Sequence, residues 1–257
     1  MNPIIINEEK CIGCSLCAFD CPNACLHLVG GKARFDKPAC IECGHCYAIC
    51  PQGAIRMTNY ESEDEPVVPM TAFDSDMLLS AMRSRRTIRH FTPQPVEEEK
   101  IQKILEAGRY SPTGGNFQNV SYTILGSRQS EAEAICVSLF RNGQMLDAGP
   151  AAFLKRINVQ VTDDFFFKGA PLVIVVSGGD DVNPALASSY MELMAESMGL
   201  GVLYSGFFRE CARISESLQK LLALPEGHKV VTCMVIGYPS VNYQRIVPRK
   251  SMRVKRL

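Results

Sequence analysis

The sequence predicts an α+β protein of two domains, a small cysteine-rich domain followed by a larger domain of mixed helices and strands. Its 257 residues are enough for two domains at roughly 100–200 residues each. Nine of the twelve cysteines lie within the first fifty residues. After Met57 the chain becomes acidic and contains two prolines, which is typical of a linker. We therefore expect domains at residues 1–58 and 76–257, joined by a linker at residues 59–75.

Composition and charge exclude several classes of protein. The hydrophobic fraction of 46% and the charged fraction of 21% are ordinary for a globular chain, which argues against disorder. Lys and Arg number 27 and so do Asp and Glu, so no overall positive field favours nucleic acid. The net charge of zero includes two local runs of opposite sign that cancel. Residues 59–76 carry only acidic charges, and residues 244–257 carry only basic ones.

The N-terminus and the lengths of the apolar runs indicate in which cellular compartment the protein is expected. Residues 1–8 have no basic start and their apolar run ends at Ile6, so we expect no export signal. The longest apolar stretches, near residues 171–176 and 230–237, are shorter than the roughly 18 residues that a membrane span needs. We expect a cytoplasmic protein without membrane association. In that compartment thiols stay reduced, and a dense cysteine cluster is more often a metal site than a disulfide framework.

The cysteine spacing indicates which metal. One run reads Cys11-x-x-Cys14-x-x-Cys17-x-x-x-Cys21-Pro22, and it recurs twenty-nine residues later as Cys40-x-x-Cys43-x-x-Cys46-x-x-x-Cys50-Pro51. Two-cluster bacterial ferredoxins use this run, and its fourth cysteine binds the other cluster. We therefore assign one [4Fe–4S] cluster to Cys11, Cys14, Cys17 and Cys50, and a second to Cys40, Cys43, Cys46 and Cys21. Zinc is the alternative, although zinc knuckles normally come as separated pairs.

The remaining four cysteines are interpreted as core. Cys25 corresponds to Ala54 in the second copy of the repeat, so the repeated framework needs no ligand there. Cys136, Cys211 and Cys233 each stand alone in apolar surroundings. A free cysteine of this kind is usually a small buried hydrophobic residue.

The second domain shows helical and strand patterns in alternation. Residues 77–83 predict one helix, and Pro95 with the acidic residues 97–99 predicts the start of another. Ser130 and Glu133 have the spacing of a capping box. Short β-branched runs predict strands at residues 121–125, 171–176 and 230–236. A buried helix is predicted over residues 185–200.

Three segments of this domain carry candidate binding residues. Residues 83–91 interleave arginines with a hydroxyl, which suits a phosphate, and the glycines of residues 111–118 allow a flat ligand to approach the backbone. The third segment, residues 199–206, follows the buried helix. Singly, such segments are usually a solvated face or an ordinary turn. In this order they resemble the nitroreductase family of FMN-dependent flavoproteins, and with the N-terminal domain the chain resembles the ferredoxin–nitroreductase fusion proteins of anaerobic bacteria and archaea.

The resemblance implies a set of FMN contacts and an assembly. It places Arg85, Arg86, Thr87 and Arg89 on the FMN phosphate and ribityl chain, and Pro112, Thr113, Gly114 and Asn116 against the isoalloxazine. It places Tyr204, Ser205 and Gly206 near the redox edge of the ring, and Arg249 and Lys250 on the phosphate. It also implies an α+β fold around a mixed sheet, and a homodimer with two FMN sites at its interface.

The resemblance further implies a function. We expect an oxidoreductase that passes electrons from two [4Fe–4S] clusters to FMN and on to a small acceptor such as a nitro compound, a quinone or an enone. NAD(P)H and a redox protein both remain open as electron donor. No catalytic side chain is assigned, because the protein of a cofactor enzyme mainly binds, orients and tunes its cofactor. Residues 165–167, three phenylalanines, either line the acceptor pocket or belong to the core.

Two other functions remain open from the sequence. The chain is alternatively an electron-transfer or redox-sensing module that relays electrons to a protein partner without turning over a small molecule. A third interpretation is a domain that has lost FMN and only supports the clusters.

Overall fold

The computed structural model describes residues 2–36, 39–60, 74–143 and 160–257, and it confirms the α+β class. Contacts divide the chain into two compact units. Unit 1 comprises Met1–Ala72 together with Thr113–Phe117, and unit 2 comprises Phe73–Pro112 and Gln118–Leu257. Most of the expected linker, residues 61–73, lies outside the described residues, so the linker remains a prediction.

Unit 1 consists of two small antiparallel sheets and two short helices. Strand β1 (Ile4–Ile6) pairs with β4 (Ile55–Met57), and β2 (Leu26–Val29) pairs with β3 (Lys32–Phe35). Helix α1 (Leu16–Phe19) and helix α2 (His45–Ile49) occupy equivalent places in the two copies of the repeat. Each contains the third cysteine of its run, buried in the core of the unit.

Unit 2 contains a four-stranded antiparallel sheet in the order β5-β6-β8-β7. Its strands are β5 (Val120–Ile124), β6 (Leu172–Gly178), β7 (Gly201–Tyr204) and β8 (Lys229–Gly237). The three predicted strands are confirmed within two residues at each end, whereas β7 was not predicted. An isolated parallel bridge between Thr87 and Val202 adds a parallel element at the β7 edge.

Helices cover both faces of this sheet. The helices described in unit 2 are α3 (Ser75–Ser84), which buries no residue, α4 (Glu98–Arg109), α5 (Gln129–Arg141), α6 (Val182–Ser197), α7 (Gly206–Ile214) and α8 (Glu216–Leu222). Alternate residues of the strands point to opposite faces. On one face they pack with α4 and α6, and on the other with α5, α7 and α8. No helix among the described residues is both long and apolar enough to cross a membrane.

Two local predictions are corrected by the structure. The capping box at Ser130 and Glu133 is wrong, because a 3-10 turn at Gly126–Arg128 leads directly into a helix that begins at Gln129. The carboxylate of Glu133 instead accepts hydrogen bonds of 2.9 Å from the backbone amides of Phe166 and Phe167. Helix α4 begins at Glu98 rather than at Pro95, because Glu97 still has an extended backbone.

The phenylalanines at 165–167 belong to the core of unit 2. Their exposed fractions are 9%, 1% and 0%, and they pack with the inner faces of α5 and α7. The core interpretation of these three residues is therefore confirmed.

Candidate functional site

Each of two small cavities in unit 1 is lined by one of the two predicted cysteine sets. The first is lined by Cys11, Cys14, Cys17 and Cys50. The second is lined by Cys40, Cys43, Cys46 and Cys21. In both cavities three cysteines come from one run and the fourth comes from the other run. The structure thus brings together the two sets as the spacing predicts.

Backbone amides point at the sulfur atoms in both cavities. The amide of Cys25 donates to Cys21 Sγ at 3.2 Å, and at the equivalent position Ala54 donates to Cys50 Sγ at 3.3 Å. Amides of Ala33 and Glu42 donate to Cys11 Sγ and Cys40 Sγ, each at 3.4 Å. Such N–H···S bonds stabilise thiolates and tune the potential of a cluster bound to them.

The cysteine thiols of the cavities differ in how easily they ionise. Backbone amides of Ala33 and Gly13 lower the pKa of the Cys11 thiol. Burial raises the pKa of Cys17, and it raises that of Cys46 to about 11. A buried thiolate needs compensating positive charge, which a bound metal supplies. Four sulfur ligands with amide donors around them fit an iron–sulfur cluster.

The other four cysteines are buried, as expected for core residues. Cys25 and its counterpart Ala54 are 1% and 3% exposed, although Cys25 also lines the second cavity. Cys136, Cys211 and Cys233 are at most 1% exposed and lie in one core cluster of unit 2. The core interpretation of Cys136, Cys211 and Cys233 is confirmed, and that of Cys25 stays a prediction.

In unit 2 the first arginine segment lies beside strand β7. Thr87 forms a parallel bridge with Val202, and the amide of Ile88 donates to the Val202 carbonyl at 3.1 Å. This approach depends on Gly201, because a Cβ there would lie 2.2 Å from Ile88 Cγ1. The glycine therefore brings together the first and third candidate segments.

Arg86 keeps hydrogen-bond donors available for a ligand. Its Nη1 donates to the carbonyls of Arg83 and Arg85. Its Nε and Nη2 are buried and have no hydrogen-bond partner in the described part of the chain. Buried, unpaired donors on a permanent cation are unfavourable unless an anion accepts them. This guanidinium fits a phosphate group.

Arg85 is held differently, in a network whose members lie far apart in the sequence. Its Nη1 lies 2.9 Å from Glu192 Oε1, and the two side chains are 25% and 11% exposed. Tyr204 donates to the Ser188 carbonyl at 2.9 Å and lies 3.4 Å from Glu192 Oε2. The network ties the first segment to helix α6 and to the end of β7. The available signal was the presence of two glutamates, Glu192 and Glu196, in a segment predicted to be a buried helix.

Glu196 lies one turn further along α6. Burial, with a smaller contribution from the nearby charge of Glu192, raises the pKa of its carboxyl to about 7, while Arg85 opposes the shift. Its Oε1 is buried without a hydrogen-bond partner among the residues described. Helix α6 therefore carries two carboxyls near Arg85, and among the residues that the structure describes Glu192 forms an ion pair while Glu196 forms none.

The third segment passes from strand β7 into helix α7. Ser205 is 6% exposed, and its amide donates to the Cys233 carbonyl at 2.8 Å. Gly206 is the first residue of α7. First-turn amides of a helix have no partner within the helix and can meet an electronegative ligand.

The other predicted FMN residues are not brought to this place by the described contacts. Thr113–Phe117, which includes Gly114, is grouped with unit 1, where Asn116 Nδ2 donates to the carbonyls of Ile41 at 3.1 Å and Glu42 at 3.0 Å. Pro112 belongs to unit 2. Arg89 is exposed, and so are Arg249 and Lys250 in the segment after β8 that forms neither helix nor strand.

Comparison with known proteins gives two family matches. Residues 82–238 match the Nitroreductase family, and residues 3–65 match the 4Fe-4S dicluster domain. The first match spans more than half of the chain and covers the whole sheet of unit 2. The second contains all eight predicted cluster ligands.

Curated relatives match one or the other part. An NADPH-flavin oxidoreductase from Vibrio harveyi is 28% identical over 173 residues, which cover 64% of this chain and 66% of the relative. A putative NADH dehydrogenase/NAD(P)H nitroreductase from Archaeoglobus fulgidus is 28% identical over 166 residues, 63% of this chain and 84% of the relative. One component of an ion-translocating oxidoreductase complex from Methanosarcina acetivorans is 42% identical over 50 residues, 20% of this chain and 19% of that protein.

Solved structures support the fold of unit 2. A nitroreductase with bound FMN from Bacteroides fragilis aligns with a TM-score of 0.57 at 19% identity, over 70% of this chain and 98% of that one. A nitroreductase with bound FMN from Desulfitobacterium hafniense aligns with a TM-score of 0.57 at 22% identity, over 69% of this chain and 98% of that one. At these identities the likeness concerns the fold.

Proposed function

Since the chain belongs to the nitroreductase family and begins with a 4Fe-4S dicluster domain, we propose that it is an oxidoreductase that passes electrons from two [4Fe–4S] clusters to FMN and on to a small acceptor. Nitro compounds, quinones and enones are the acceptor classes that we propose. The observation that carries the proposal is that each of two cavities in the described part of unit 1 is lined by a complete set of four cysteines, three from one repeat and one from the other.

We propose that each of these cysteine sets holds one cluster. The clusters supply one-electron transfer, and FMN supplies the chemistry that delivers two electrons to an acceptor. The cysteines hold the iron, and the amides of Cys25 and Ala54 stabilise equivalent sulfur atoms in the two sites. Because the two sites share this geometry, the chain is expected to bind two clusters of the same type.

We propose that the FMN phosphate binds at Arg86. Its buried and unpaired Nε and Nη2 can each donate to a phosphate oxygen. Thr87 contributes a hydroxyl, and Arg89, Arg249 and Lys250 contribute positive charge from exposed positions. Arg85 acts by holding the segment in place, since its guanidinium is already paired with Glu192.

We propose that the ring of FMN meets the remaining predicted residues in a homodimer. The turn into α7 lies near the redox edge of the FMN ring, and it is formed by Tyr204, Ser205 and Gly206. The ring packs against a second group of residues, which are Pro112, Thr113, Gly114 and Asn116. The exposed Arg249 and Lys250 are available to a second copy of the chain. No side chain is proposed to act as a general acid or base, because the residues bind and orient the flavin.

Two electron donors remain within the proposal, and both are testable. The Vibrio harveyi and Archaeoglobus fulgidus relatives are named for NADPH and NAD(P)H, which supports direct reduction of FMN by a nicotinamide. The ferredoxin-like domain supports a redox protein that reduces the clusters. We propose that either donor acts in the cytoplasm.

The proposal is tested on anaerobically purified full-length protein. We expect about eight iron atoms per chain, the content of two four-iron clusters, and one FMN released per chain on denaturation. After reduction by dithionite, mixing with a nitroarene or a quinone is expected to give many turnovers of flavin reoxidation. Iron replaced by zinc, or no released FMN, would contradict the proposal.

The second candidate function is a relay to a protein partner, which the two cysteine-lined cavities of unit 1 equally favour. Under this alternative, reoxidation by small acceptors is slow and becomes fast only when an oxidised redox protein is added. Fast multiple turnover with a small acceptor alone excludes it. The same assay therefore separates the two functions.

A further inference from the structure

The internal repeat of unit 1 allows its two cluster-binding loops to be compared residue by residue. Gly13 of the first loop corresponds to Glu42 of the second. Both have left-handed backbones, with φ of 69° and 54°. In the first loop glycine is required, because a Cβ at Gly13 would lie 2.1 Å from the Gly31 carbonyl oxygen. In the second loop a glutamate occupies this left-handed backbone conformation, which residues other than glycine rarely adopt.

Three side chains hold this strained residue of the second loop. Asn116 Nδ2 and the Tyr60 hydroxyl each donate to the Glu42 carbonyl at 3.0 Å. Asn59 Nδ2 donates to Glu42 Oε1 at 2.9 Å, and Asn116 Nδ2 also donates to the Ile41 carbonyl at 3.1 Å. A strained backbone persists only when its surroundings fix it. We call Asn59, Tyr60 and Asn116 the loop clamp.

The clamp acts on a backbone group that points at a cluster ligand. The amide of Glu42 donates to Cys40 Sγ at 3.4 Å, and it lies in the same peptide plane as the Ile41 carbonyl that Asn116 Nδ2 contacts, so the orientation of the Ile41–Glu42 peptide determines whether this N–H···S bond forms. Hydrogen bonds to sulfur and solvent exposure are the main protein controls on the potential of an iron–sulfur cluster. A change in the clamp therefore reaches the cluster without touching a ligand.

The two loops also differ in exposure. Ile12 and Cys14 of the first loop are exposed, Ile12 by 63%, whereas Ile41 and Cys43 of the second are half-buried. Phe19, which follows the first loop on α1, is 88% exposed. The first cluster site therefore faces solvent with an open rim, and the second is covered by the protein's own chain.

We propose that Asn116 is a positioning residue for the second cluster, and that the two clusters have different roles. The inference rests on the proposed function. Asn116 belongs to the segment that the nitroreductase resemblance assigns to the flavin, yet it is grouped with unit 1 and holds the loop between Cys40 and Cys43. Under this proposal the second cluster reduces FMN, and the first receives electrons from a low-potential one-electron donor outside the chain.

The proposed series of electron transfers conserves electrons at each step. Each transfer from the second cluster to FMN moves one electron and returns that cluster to its oxidised form. The first cluster then refills it with one electron taken from the donor, which is oxidised by one electron. Two such transfers and two protons from water reduce one FMN.

The experiment is an anaerobic redox titration of the full-length holoprotein, with both clusters followed by electron paramagnetic resonance. Cys14→Ser and Cys43→Ser variants identify which signal belongs to which cluster. Asn116→Asp replaces the donating amide by an acceptor that faces two carbonyls, and Tyr60→Phe removes one hydroxyl. Asn142→Ala is the matched control, because its side-chain amide bonds to Ser138 Oγ after helix α5 and has no contact with the loop clamp.

We expect Asn116→Asp to change the ratio of reduced to oxidised second cluster at least tenfold at a fixed potential, which is about 59 mV for a one-electron couple. Tyr60→Phe is expected to shift the potential of the second cluster by a smaller amount. Asn142→Ala is expected to leave the potentials of both clusters unchanged. The first cluster keeps its potential in all three. The rate of flavin reduction after mixing with dithionite falls in Asn116→Asp, whereas the rate at which the first cluster is reduced does not.

Several results would overturn the inference. Unchanged potentials of both clusters would refute it, as would equal shifts of both or a loss of FMN without any change in a cluster. If Asn116→Asp does not fold, Tyr60→Phe decides on the same criterion. Failure of the proposed function is recognised separately, by wild-type protein that lacks iron or FMN.

Discussion

Gly201 offers a direct test of how the first and third candidate segments are held together. A methyl group at this position would lie 2.2 Å from Ile88 Cγ1, 2.8 Å from Ile88 Cβ and 3.1 Å from Pro239 Cγ. Carbon atoms in contact are normally about 3.5–4.0 Å apart, so Gly201→Ala requires the nearest pair to separate by about 1.3 Å or more. Ile88 is 5% exposed and hydrogen-bonded to Val202, so it has little freedom to retreat.

We expect Gly201→Ala to destabilise unit 2 by about 3 kcal/mol, at the upper end for overpacked cores. Displacement of Arg86 and Thr87 from β7 is also expected to weaken FMN binding at least about tenfold, equivalent to about 1.4 kcal/mol. Urea unfolding followed by circular dichroism gives the first quantity, and titration of the flavin-free protein with FMN gives the second. Gly179→Ala is the control, since its nearest atoms are 3.9 Å away and its position is exposed.

A double variant tests the stated cause. Ile88→Ala alone is expected to cost about 2–5 kcal/mol because it empties a buried site. It also removes Cγ1, the atom nearest to the new methyl group. The double variant Gly201→Ala with Ile88→Ala should therefore be more stable than the sum of the single effects by about 1 kcal/mol or more. Strict additivity, or a Gly201→Ala variant as stable as wild type, would refute this account of the glycine.

Three further predictions concern other parts of the chain. Cys14→Ser is expected to reduce the iron content, whereas Cys25→Ala retains about eight irons per chain, and loss of iron in Cys25→Ala would make that residue a ligand. Glu133→Ala is expected to cost about 2 kcal/mol or more in urea unfolding, because it leaves two buried amides unpaired. The exposed control Glu131→Ala should cost about 0.5 kcal/mol or less, and equal effects would contradict the prediction. The carboxyl of Glu196, whose pKa is raised from 4.5 to about 7, stabilises the fold fully below pH 4.5 and loses that contribution as the pH rises through about 7. Glu196→Gln should remove this decline from unfolding curves measured across that range, and an identical decline in the variant would exclude Glu196 as its source.

The parts of the fold that were predictable have local signals. The repeated cysteine run predicted two sets of four cysteines, and each set lines one of two cavities. Strands β6 and β8 were predictable because they are central, buried on both faces and rich in β-branched residues. Strand β7 was missed because its four residues begin at a glycine and end against Ser205, so the segment is too short to show a period.

The parts that were missed depend on long-range contacts. Arg85 matched a phosphate-binding pattern, but Glu192, more than a hundred residues later, pairs with its guanidinium. Asn116 matched a flavin-binding turn, but its side chain donates to carbonyls of the loop that follows Cys40. Neither partner lies within a sequence window that periodicity or spacing can cover. Arg86, whose remaining donors are buried and unpaired, is the phosphate candidate that the structure supports best.

The transfer of electrons from the clusters to the flavin is the central claim. Its most direct test adds one electron per chain, as dithionite, to oxidised full-length protein in an anaerobic rapid-mixing experiment that records cluster and flavin absorbance together. The claim predicts that the clusters are reduced first and are then reoxidised as the flavin becomes reduced, with equal numbers of electrons lost and gained. The claim would be contradicted by clusters that stay reduced beside an oxidised flavin. It would also be contradicted if the flavin is reduced at the same rate when Cys14→Ser and Cys43→Ser remove the clusters.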